Sequence, residues 1–157
     1  MIDRSWFAAL LEPRRPLRAI LIGWLVTSIP ALALAAIAAR LLPNAASPDL
    51  PHGGLFPFLL VVITSPLLET MIMASAIEIG LLILPPLAVV ILSSIGWGIA
   101  HSLAAPAWGL VIWWPFLIFS TLYVTWRGEG RSKAILIAAT VHALNNFLPA
   151  LLLLRSA

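Results

Sequence analysis

The chain lacks cysteine and carries very little charge. With no thiol among its 157 residues, disulfide bonds, thiolate metal sites and cysteine nucleophiles are excluded. Charged residues make up 10% of the chain, whereas a typical soluble domain has about 25%. That is too little polar surface to cover a globule in water, so a soluble fold is excluded as well.

Apolar sequence takes the place of charge. Hydrophobic residues make up 62% of the chain, and the mean hydropathy is +1.07. The chain is also short for more than one domain. We therefore predict one all-α transmembrane domain over residues 1–157, a polytopic bundle of about five spanning helices in a lipid bilayer.

Five stretches have the length and apolar character of spanning helices, which need about 20 residues. Adjacent prolines, Pro85 and Pro86, divide the longest apolar run, because proline removes a backbone donor and restrains the residue before it. The predicted spans are residues 17–42, two spans within 55–106, residues 109–126 and residues 132–154.

Aromatic residues predict contacts with the membrane surface. The first eleven residues are expected to form an interfacial segment, with Trp6 and Phe7 at the level of the headgroups. The apolar run after them is as long as a span and lacks the cleavage site of a signal peptide. Four later tryptophans are also predicted to be interfacial anchors: Trp108, Trp113, Trp114 and Trp126.

The basic residues predict the orientation. Seven of the nine Lys and Arg lie before or at the start of the first span or in the connection at residues 127–133. With five spans, these two regions fall on the same face. Positive residues favour the cytoplasmic side. We therefore place the N-terminus and the Pro85-Pro86 turn in the cytoplasm. Arg155 falls on the opposite face and does not follow this pattern. Basic residues confined to span edges favour lipid contacts and argue against nucleic-acid binding.

Several ionisable side chains lie within the spans, where a charge costs roughly 2.5–3.5 kcal/mol or more. Glu69 and His101 lie sixteen residues before and after Pro85. An antiparallel hairpin therefore brings them to one level, about 24 Å from its turn. Ser65-Pro66 is typical of a helix start, which would place Glu69 near the positive end of a helix dipole.

The last span adds two more polar residues. His142 and Asn146 are four residues apart, so they share one face of a helix. By helical rise they lie about 14 and 20 Å from Lys133, which is at the predicted cytoplasmic edge. The depth of Asn146 approaches that of Glu69 and His101. One carboxylate, two imidazoles and one amide are therefore predicted to meet inside the bundle.

Two further polar residues are interpreted as structural. Glu78 is nine residues beyond Glu69, so it faces the opposite side of that helix and lies near the cytoplasmic turn. Asn145 faces away from the stripe formed by His142 and Asn146. We expect Asn145 to make a hydrogen bond between helices.

A carboxylate with two imidazoles suits peptide hydrolysis in two ways. Glu69 can act as a general base on a water held by His101, while His142 and Asn146 donate hydrogen bonds to the oxyanion. Alternatively, Glu69, His101 and His142 bind zinc as a ligand set of the thermolysin type. The zinc scheme leaves no second carboxylate as base, so we predict no metal and no cofactor. A serine nucleophile is poorly supported, because no serine in the spans has an activating context.

Three motifs lie in order along the predicted spans. They are Pro66-Leu67-Leu68-Glu69, Trp97-Gly98-Ile99-Ala100-His101 and His142-Ala143-Leu144-Asn145-Asn146. Together they resemble the signature of the CAAX-protease and bacteriocin-processing (CPBP) family of glutamic-type intramembrane endopeptidases. The resemblance covers residues 55–154, and it implies that Glu69 is the water-activating base, His101 its partner, and His142 and Asn146 the oxyanion side.

The chain departs from the family pattern at three positions. The family has a second Glu, an Arg and a Phe where this chain has Thr70, Ala74 and Trp97. Loss of the Glu and the Arg together is coherent, because removing a whole buried ion pair costs much less than leaving one member alone. These departures argue more against a prenylated substrate than against the chemistry, as in a divergent, short prokaryotic branch.

Three hypotheses for the function follow. The first is an endopeptidase that cleaves a membrane-embedded or juxtamembrane peptide, such as a C-terminal sorting segment or a CAAX-type segment, near the extracytoplasmic end of the substrate's span. The second is a non-catalytic relative with an immunity or scaffold role, which Thr70 and Ala74 favour. The third is a transporter subunit with a proton-carrying Glu69, which leaves the two histidine motifs unexplained.

Overall fold

The computed structural model describes residues 10–46 and 54–155, the last four of them by their backbone alone. Every regular element in those ranges is helical, and five helices are long and apolar enough to cross a membrane, as predicted. We number them α1 (Pro16–Leu41), α2 (Leu55–Gly80), α3 (Pro86–Ala104), α4 (Gly109–Trp126) and α5 (Arg131–Arg155).

Proline and glycine set several helix boundaries. Pro16 and Pro86 stand in the first turn of α1 and α3, where a missing N–H has no partner within the helix. A 3₁₀ turn, Arg127–Glu129, follows α4 and leads into Gly130, whose φ of 123° strains any side chain. This short connection reverses the chain between α4 and α5.

The central helix is α4, which packs against α1, α3 and α5, while α2 lies mainly along α5. The buried face of α4 carries large side chains, among them Phe116, Phe119, Leu122, Tyr123 and Trp126. Apolar side chains also cover much of the outer surface of the bundle. This is the distribution expected of helices whose outer solvent is hydrocarbon.

Two glycines let α3 and α4 approach each other closely. A Cβ atom on Gly109 would collide with the carbonyl of Gly98 and with the hydroxyl of Ser102. A Cβ atom on Gly98 would lie 3.1 Å from the Cβ of Trp113. Small residues at such a crossing allow backbones to pack directly. The crossing brings aromatic side chains from the start of α4 beside the end of α3, where His101 lies.

Glu78 has the structural role that its position predicts. At the end of α2 it accepts hydrogen bonds from Arg127 at 2.8 and 3.1 Å, from Arg131 at 2.7 Å and from the hydroxyl of Tyr123 at 3.0 Å. The α2–α3 turn and the α4–α5 connection therefore lie at the same end of the bundle. Which face of the membrane this end occupies stays a prediction.

Two of the predicted tryptophan anchors make contacts between helices; the prediction is wrong for Trp126 and stays a prediction for the partly exposed Trp114. Trp126 is completely buried in the core, and the indole of Trp114 donates a 2.9 Å hydrogen bond to the carbonyl of Val26 in α1. Both rings therefore serve contacts between helices. Of the predicted interfacial segment, residues 1–9 lie outside the described residues. Leu10 is buried, and its carbonyl accepts a hydrogen bond from Thr125.

Candidate active site

Glu69, His101 and His142 meet in the interior of the bundle, as predicted. One carboxylate oxygen of Glu69, Oε2, lies 3.8 Å from Nε2 of His101 and 3.9 Å from Nε2 of His142. These side chains come from α2, α3 and α5. The His142 side chain is 5% exposed, that of His101 13% and that of Glu69 26%. The carboxylate is therefore the most accessible member of the cluster.

Hydrogen bonding fixes the orientation of the His101 ring. Its Nδ1 lies 2.9 Å from the carbonyl oxygen of Trp97, one turn earlier in α3. Because a carbonyl oxygen only accepts, Nδ1 must carry the proton. In the neutral ring Nε2 then presents a lone pair, and this atom faces Glu69.

The two facing atoms are both acceptors when Glu69 is ionised and His101 is neutral. Their 3.8 Å separation is longer than a direct hydrogen bond. A polar gap of this length suits a bridging water. Such a water can donate one proton to Glu69 and the other to Nε2 of His101, which is the arrangement that polarises it for attack.

His142 is held by a hydroxyl and by aromatic rings. Its Nδ1 lies 3.5 Å from the hydroxyl of Thr70, which is completely buried. The imidazole stacks on Phe119 with centroids 4.5 Å apart, and the edge of Phe116 lies against it at 5.3 Å. If the Thr70 hydroxyl donates to Nδ1, the proton of His142 is on Nε2 and points toward Glu69.

Aromatic rings form an enclosure around His101 and His142 that the three motifs do not predict. Trp97 stacks on Phe116 at 4.3 Å, and the rings of Phe116 and Trp108 lie 5.7 and 4.8 Å from His101. Phe116 thus contacts both histidines. Trp108, for which an interfacial position stays a prediction, packs edge-on against His101. Its position immediately before α4, seven residues after His101, was the available signal.

Asn146 lies one turn beyond His142 on α5, and it hydrogen-bonds to the part of α2 that precedes Glu69. Its Nδ2 donates a 3.2 Å hydrogen bond to the carbonyl of Val61, and its Oδ1 lies 3.5 Å from Nδ2 of Asn145. Donation to an oxyanion by Asn146 stays a prediction. Asn145 accepts a hydrogen bond from Ser28 in α1, so its predicted role between helices is confirmed.

The expected helix start at Ser65-Pro66 is wrong. Residues before it are already helical, with Leu60–Thr64 in a π-helical turn and Thr64 in the right-handed helical region. Glu69 therefore lies well inside α2. The argument from a helix dipole does not apply, because the backbone groups around Glu69 belong to a continuing helix.

The site lies less deep than the sequence predicts. Residues 81–84 form a turn, so α2 ends at Gly80 rather than at Pro85. By helical rise, Glu69 is about 16 Å from the end of α2, and His101 and His142 are about 22 and 16 Å from the starts of their helices. In a hydrocarbon core about 30 Å thick, the cluster lies from the middle to the half remote from the Pro85-Pro86 turn.

Of the three positions that depart from the family pattern, Thr70 and Ala74 are closed to solvent. Thr70 is 0% exposed and Ala74 is 3% exposed. A single charge at either position would have to be buried without compensation, so the chain carries a neutral pair where the family carries an ion pair. Thr70 keeps a polar contact to His142 from this position.

The geometry of the cluster differs from that of a compact zinc site. Two ligand atoms on one tetrahedral zinc ion, at about 2.0–2.1 Å each, lie about 3.3 Å apart. The two separations here are 3.8 and 3.9 Å. Within residues 10–46 and 54–155, no group of three or more His, Cys, Asp or Glu is arranged to hold a metal ion. Metal independence stays a prediction.

An apolar groove runs between α2 and α3 beside the cluster. Its volume is about 450 Å³, and all the residues that line it are uncharged. Ile72, one turn beyond Glu69, lies at this groove, as do Trp97 and Ala100, which precede His101 on α3. The groove is therefore lined by residues that neighbour Glu69 and His101 along their helices.

Comparison with protein-family models, with curated proteins and with solved structures gave no match. The resemblance to the CPBP family consequently stays a hypothesis that rests on the three motifs.

Proposed function

We propose that this protein is an intramembrane endopeptidase that hydrolyses a peptide bond within or beside a bilayer. The observation that carries the proposal is the convergence of Glu69 with His101 and His142 from three helices. Each would be costly to bury in a membrane without a function. A carboxylate facing the lone pair of an imidazole across a gap suited to water is the arrangement of a general base.

In the proposed reaction, a water between Glu69 and His101 attacks the carbonyl carbon of the scissile bond. The carboxylate takes the proton of this water as the carbon–oxygen bond forms, and the carbonyl becomes an oxyanion. The protonated Glu69 then returns the proton to the amide nitrogen as the carbon–nitrogen bond breaks. No covalent enzyme intermediate and no cofactor are required.

His142 is proposed to stabilise the oxyanion. With the Thr70 hydroxyl donating to Nδ1, its Nε2–H is free to donate toward the site. A preorganised donor aimed at developing charge contributes strongly when water is excluded, and this imidazole is held by Phe116 and Phe119. Thr70 thus performs an orienting role from the position of the family's second Glu.

The groove between α2 and α3 supports an apolar substrate. We propose that the membrane-embedded segment of the substrate lies there, because the walls are uncharged and include Ile72, one turn beyond Glu69, and Ala100, the residue before His101. With the N-terminus in the cytoplasm, the site lies in the middle or outer half of the bilayer. A cut there suits a sorting segment that is processed after its protein has been exported.

We also propose that the chain is a divergent member of the CPBP family in a prokaryotic cell membrane. The competing possibility is a non-catalytic relative that has lost the second Glu and the Arg. The buried contact of Thr70 with His142 favours an active site, since a degraded site has no need to keep the imidazole oriented.

New peptide termini in membranes test the proposal without a known substrate. Cells that express the wild-type chain are compared with cells that express His101→Gln, by mass spectrometry of protein termini. We expect cleavage products that depend on His101 and that end in the middle or outer half of a spanning segment. Glu78→Gln, which alters a structural carboxylate, is the matched control and should give the wild-type products. Identical termini in all three samples would contradict the proposed function.

A further inference from the structure

The π-helical turn in α2 leaves one backbone carbonyl without a partner in its own helix, and the sequence explains why. Leu60–Thr64 forms this turn, in which the N–H of Ser65 donates to the carbonyl of Leu60, five residues earlier. The next residue, Pro66, has no N–H. In a π-turn the carbonyl of Val61 would pair with residue 66, and in a regular helix it would pair with Ser65. The first donor does not exist and the second is engaged, so Val61 lacks a donor from its own helix.

Asn146 supplies that donor. Its Nδ2 lies 3.2 Å from the carbonyl oxygen of Val61. In a membrane an unpaired backbone carbonyl has no water to bond, so this contact satisfies a group that Pro66 leaves open. The amide is itself part of a chain to α1, in which Asn145 contacts Asn146 at 3.5 Å and Ser28 donates to Asn145 at 3.2 Å.

The π-turn sets the direction in which Glu69 points. Phe58, before the turn, contacts Phe147 of α5, and Thr70, after it, contacts His142 of the same helix. At about 100° per residue, positions twelve apart on a regular helix differ in direction by about 120°. Absorbing one residue in the π-turn reduces the difference to about 20°, which lets both residues face α5.

Loss of the π-turn would therefore rotate the second part of α2 by about 100°. Each residue of this part would take the direction that its successor has now. Glu69 would point where Thr70 points, toward His142 and the interior, and would leave its place beside His101. The position of the candidate base thus depends on a turn that a residue of α5 completes.

We propose that Asn146 is a positioning residue, which holds the π-turn of α2 and through it directs Glu69 toward the two histidines. The expected effect of Asn146 on the rate of cleavage rests on the proposed function, whereas its expected effect on the direction of α2 does not. This role differs from donation to an oxyanion, because it is exerted through the carbonyl of Val61 and exists only because Pro66 lacks an N–H.

A variant at Pro66 separates these roles. Pro66→Ala provides an N–H that can pair with the carbonyl of Val61, so the turn no longer needs Asn146. We expect Asn146→Ala to lower kcat by about tenfold to a hundredfold in the wild-type background, with KM little changed. In the Pro66→Ala background the same substitution should cost less than about threefold. An equal loss in both backgrounds would overturn the proposal and favour a direct contact with the oxyanion.

Cysteine labelling tests the rotation without any assay of proteolysis. The chain has no native cysteine, so single variants report one position each. In detergent, Ile72→Cys should react with a maleimide and Ala74→Cys should be protected, since Ile72 is 61% exposed and Ala74 is 3% exposed. Adding Asn146→Ala should lower labelling at position 72 and raise it at position 74. After the rotation, each position would point in the direction that the next residue along α2 has in the wild type.

The labelling outcomes are distinguishable from a loss of fold. A rise at both positions would mean unfolding and would contradict the proposal, as would an unchanged pattern. Thr140→Ala is the matched control, because Thr140 is also on α5 but donates to a carbonyl of its own helix, and it should leave both positions unchanged. If Asn146→Ala shows the rotation but the wild-type chain shows no proteolysis, the positioning role is supported and the proposed function is contradicted.

Discussion

Removal of the Glu78 charge should destabilise the protein and spare its activity. Glu78 joins the end of α2 to the α4–α5 connection through Arg127 and Arg131, and its side chain is 20% exposed. In Glu78→Gln the shape is kept, but the two arginines lose their anionic partner. The site is nine residues away along α2, so the geometry around Glu69 should persist.

The size of the effect follows from the exposure of each partner. Arg127 donates two hydrogen bonds and is 38% exposed, whereas Arg131 is 70% exposed. Hydrogen bonds to charged groups contribute about 1.5–3 kcal/mol, and exposed ion pairs contribute about 0–1 kcal/mol. Since the amide of Gln still accepts one bond, we expect a net loss of about 2 kcal/mol. At about 2–4 °C per kcal/mol, Tm should fall by about 4–8 °C.

The assay is thermal unfolding of purified protein in detergent. The matched control is Glu129→Gln, because within residues 10–46 and 54–155 Glu129 forms an ion pair with Lys133 alone, and both side chains are nearly half exposed. That pair should contribute about 0.3–0.5 kcal/mol, so the control should change Tm by less than about 2 °C. Equal Tm values for the two variants would refute the reasoning, and so would a loss of proteolysis in Glu78→Gln.

Three further predictions concern the site and the membrane. Thr70→Val should lower kcat about tenfold or more because His142 loses its partner at Nδ1, whereas Thr70→Ser should stay within about threefold of wild type; kinetics that show equal losses would contradict this. In intact cells a membrane-impermeant maleimide should label Asn44→Cys and should reach Ser132→Cys only after lysis, and the reverse pattern would invert the topology. Activity should survive dialysis against a chelator, and stoichiometric zinc whose removal abolishes activity would contradict the metal-free mechanism.

The sequence was sufficient to predict the spans and most of the site. Long apolar runs separated by Pro85-Pro86 and by polar connections leave little freedom in a membrane, where only helices satisfy the backbone. The predicted hairpin placed Glu69 opposite His101, and their 3.8 Å approach confirms this pairing, although α2 ends at Gly80 and the two distances to the turn are unequal. The spacing of four between His142 and Asn146 correctly put them on one side of α5.

What the sequence did not reveal depends on contacts between distant segments. Pro66 was interpreted as a helix start because proline is common there. The helix continues instead, since Asn146, far along the chain, satisfies a carbonyl that the proline leaves open. The aromatic enclosure of His101 was missed for a similar reason. The close approach of α3 and α4 at Gly98 and Gly109 is a property of two helices, so neither glycine signals it alone.

The most direct test of the central claim is the cleavage rate of purified, reconstituted Glu69→Gln on a peptide that the wild-type chain cleaves. Gln keeps the size of the side chain and removes the base, so the rate should fall by at least about a hundredfold. Tm should stay the same or rise, because a carboxylate without a fixed cation is replaced by a neutral amide. A Glu69→Gln protein that cleaves at close to the wild-type rate would contradict the glutamic mechanism.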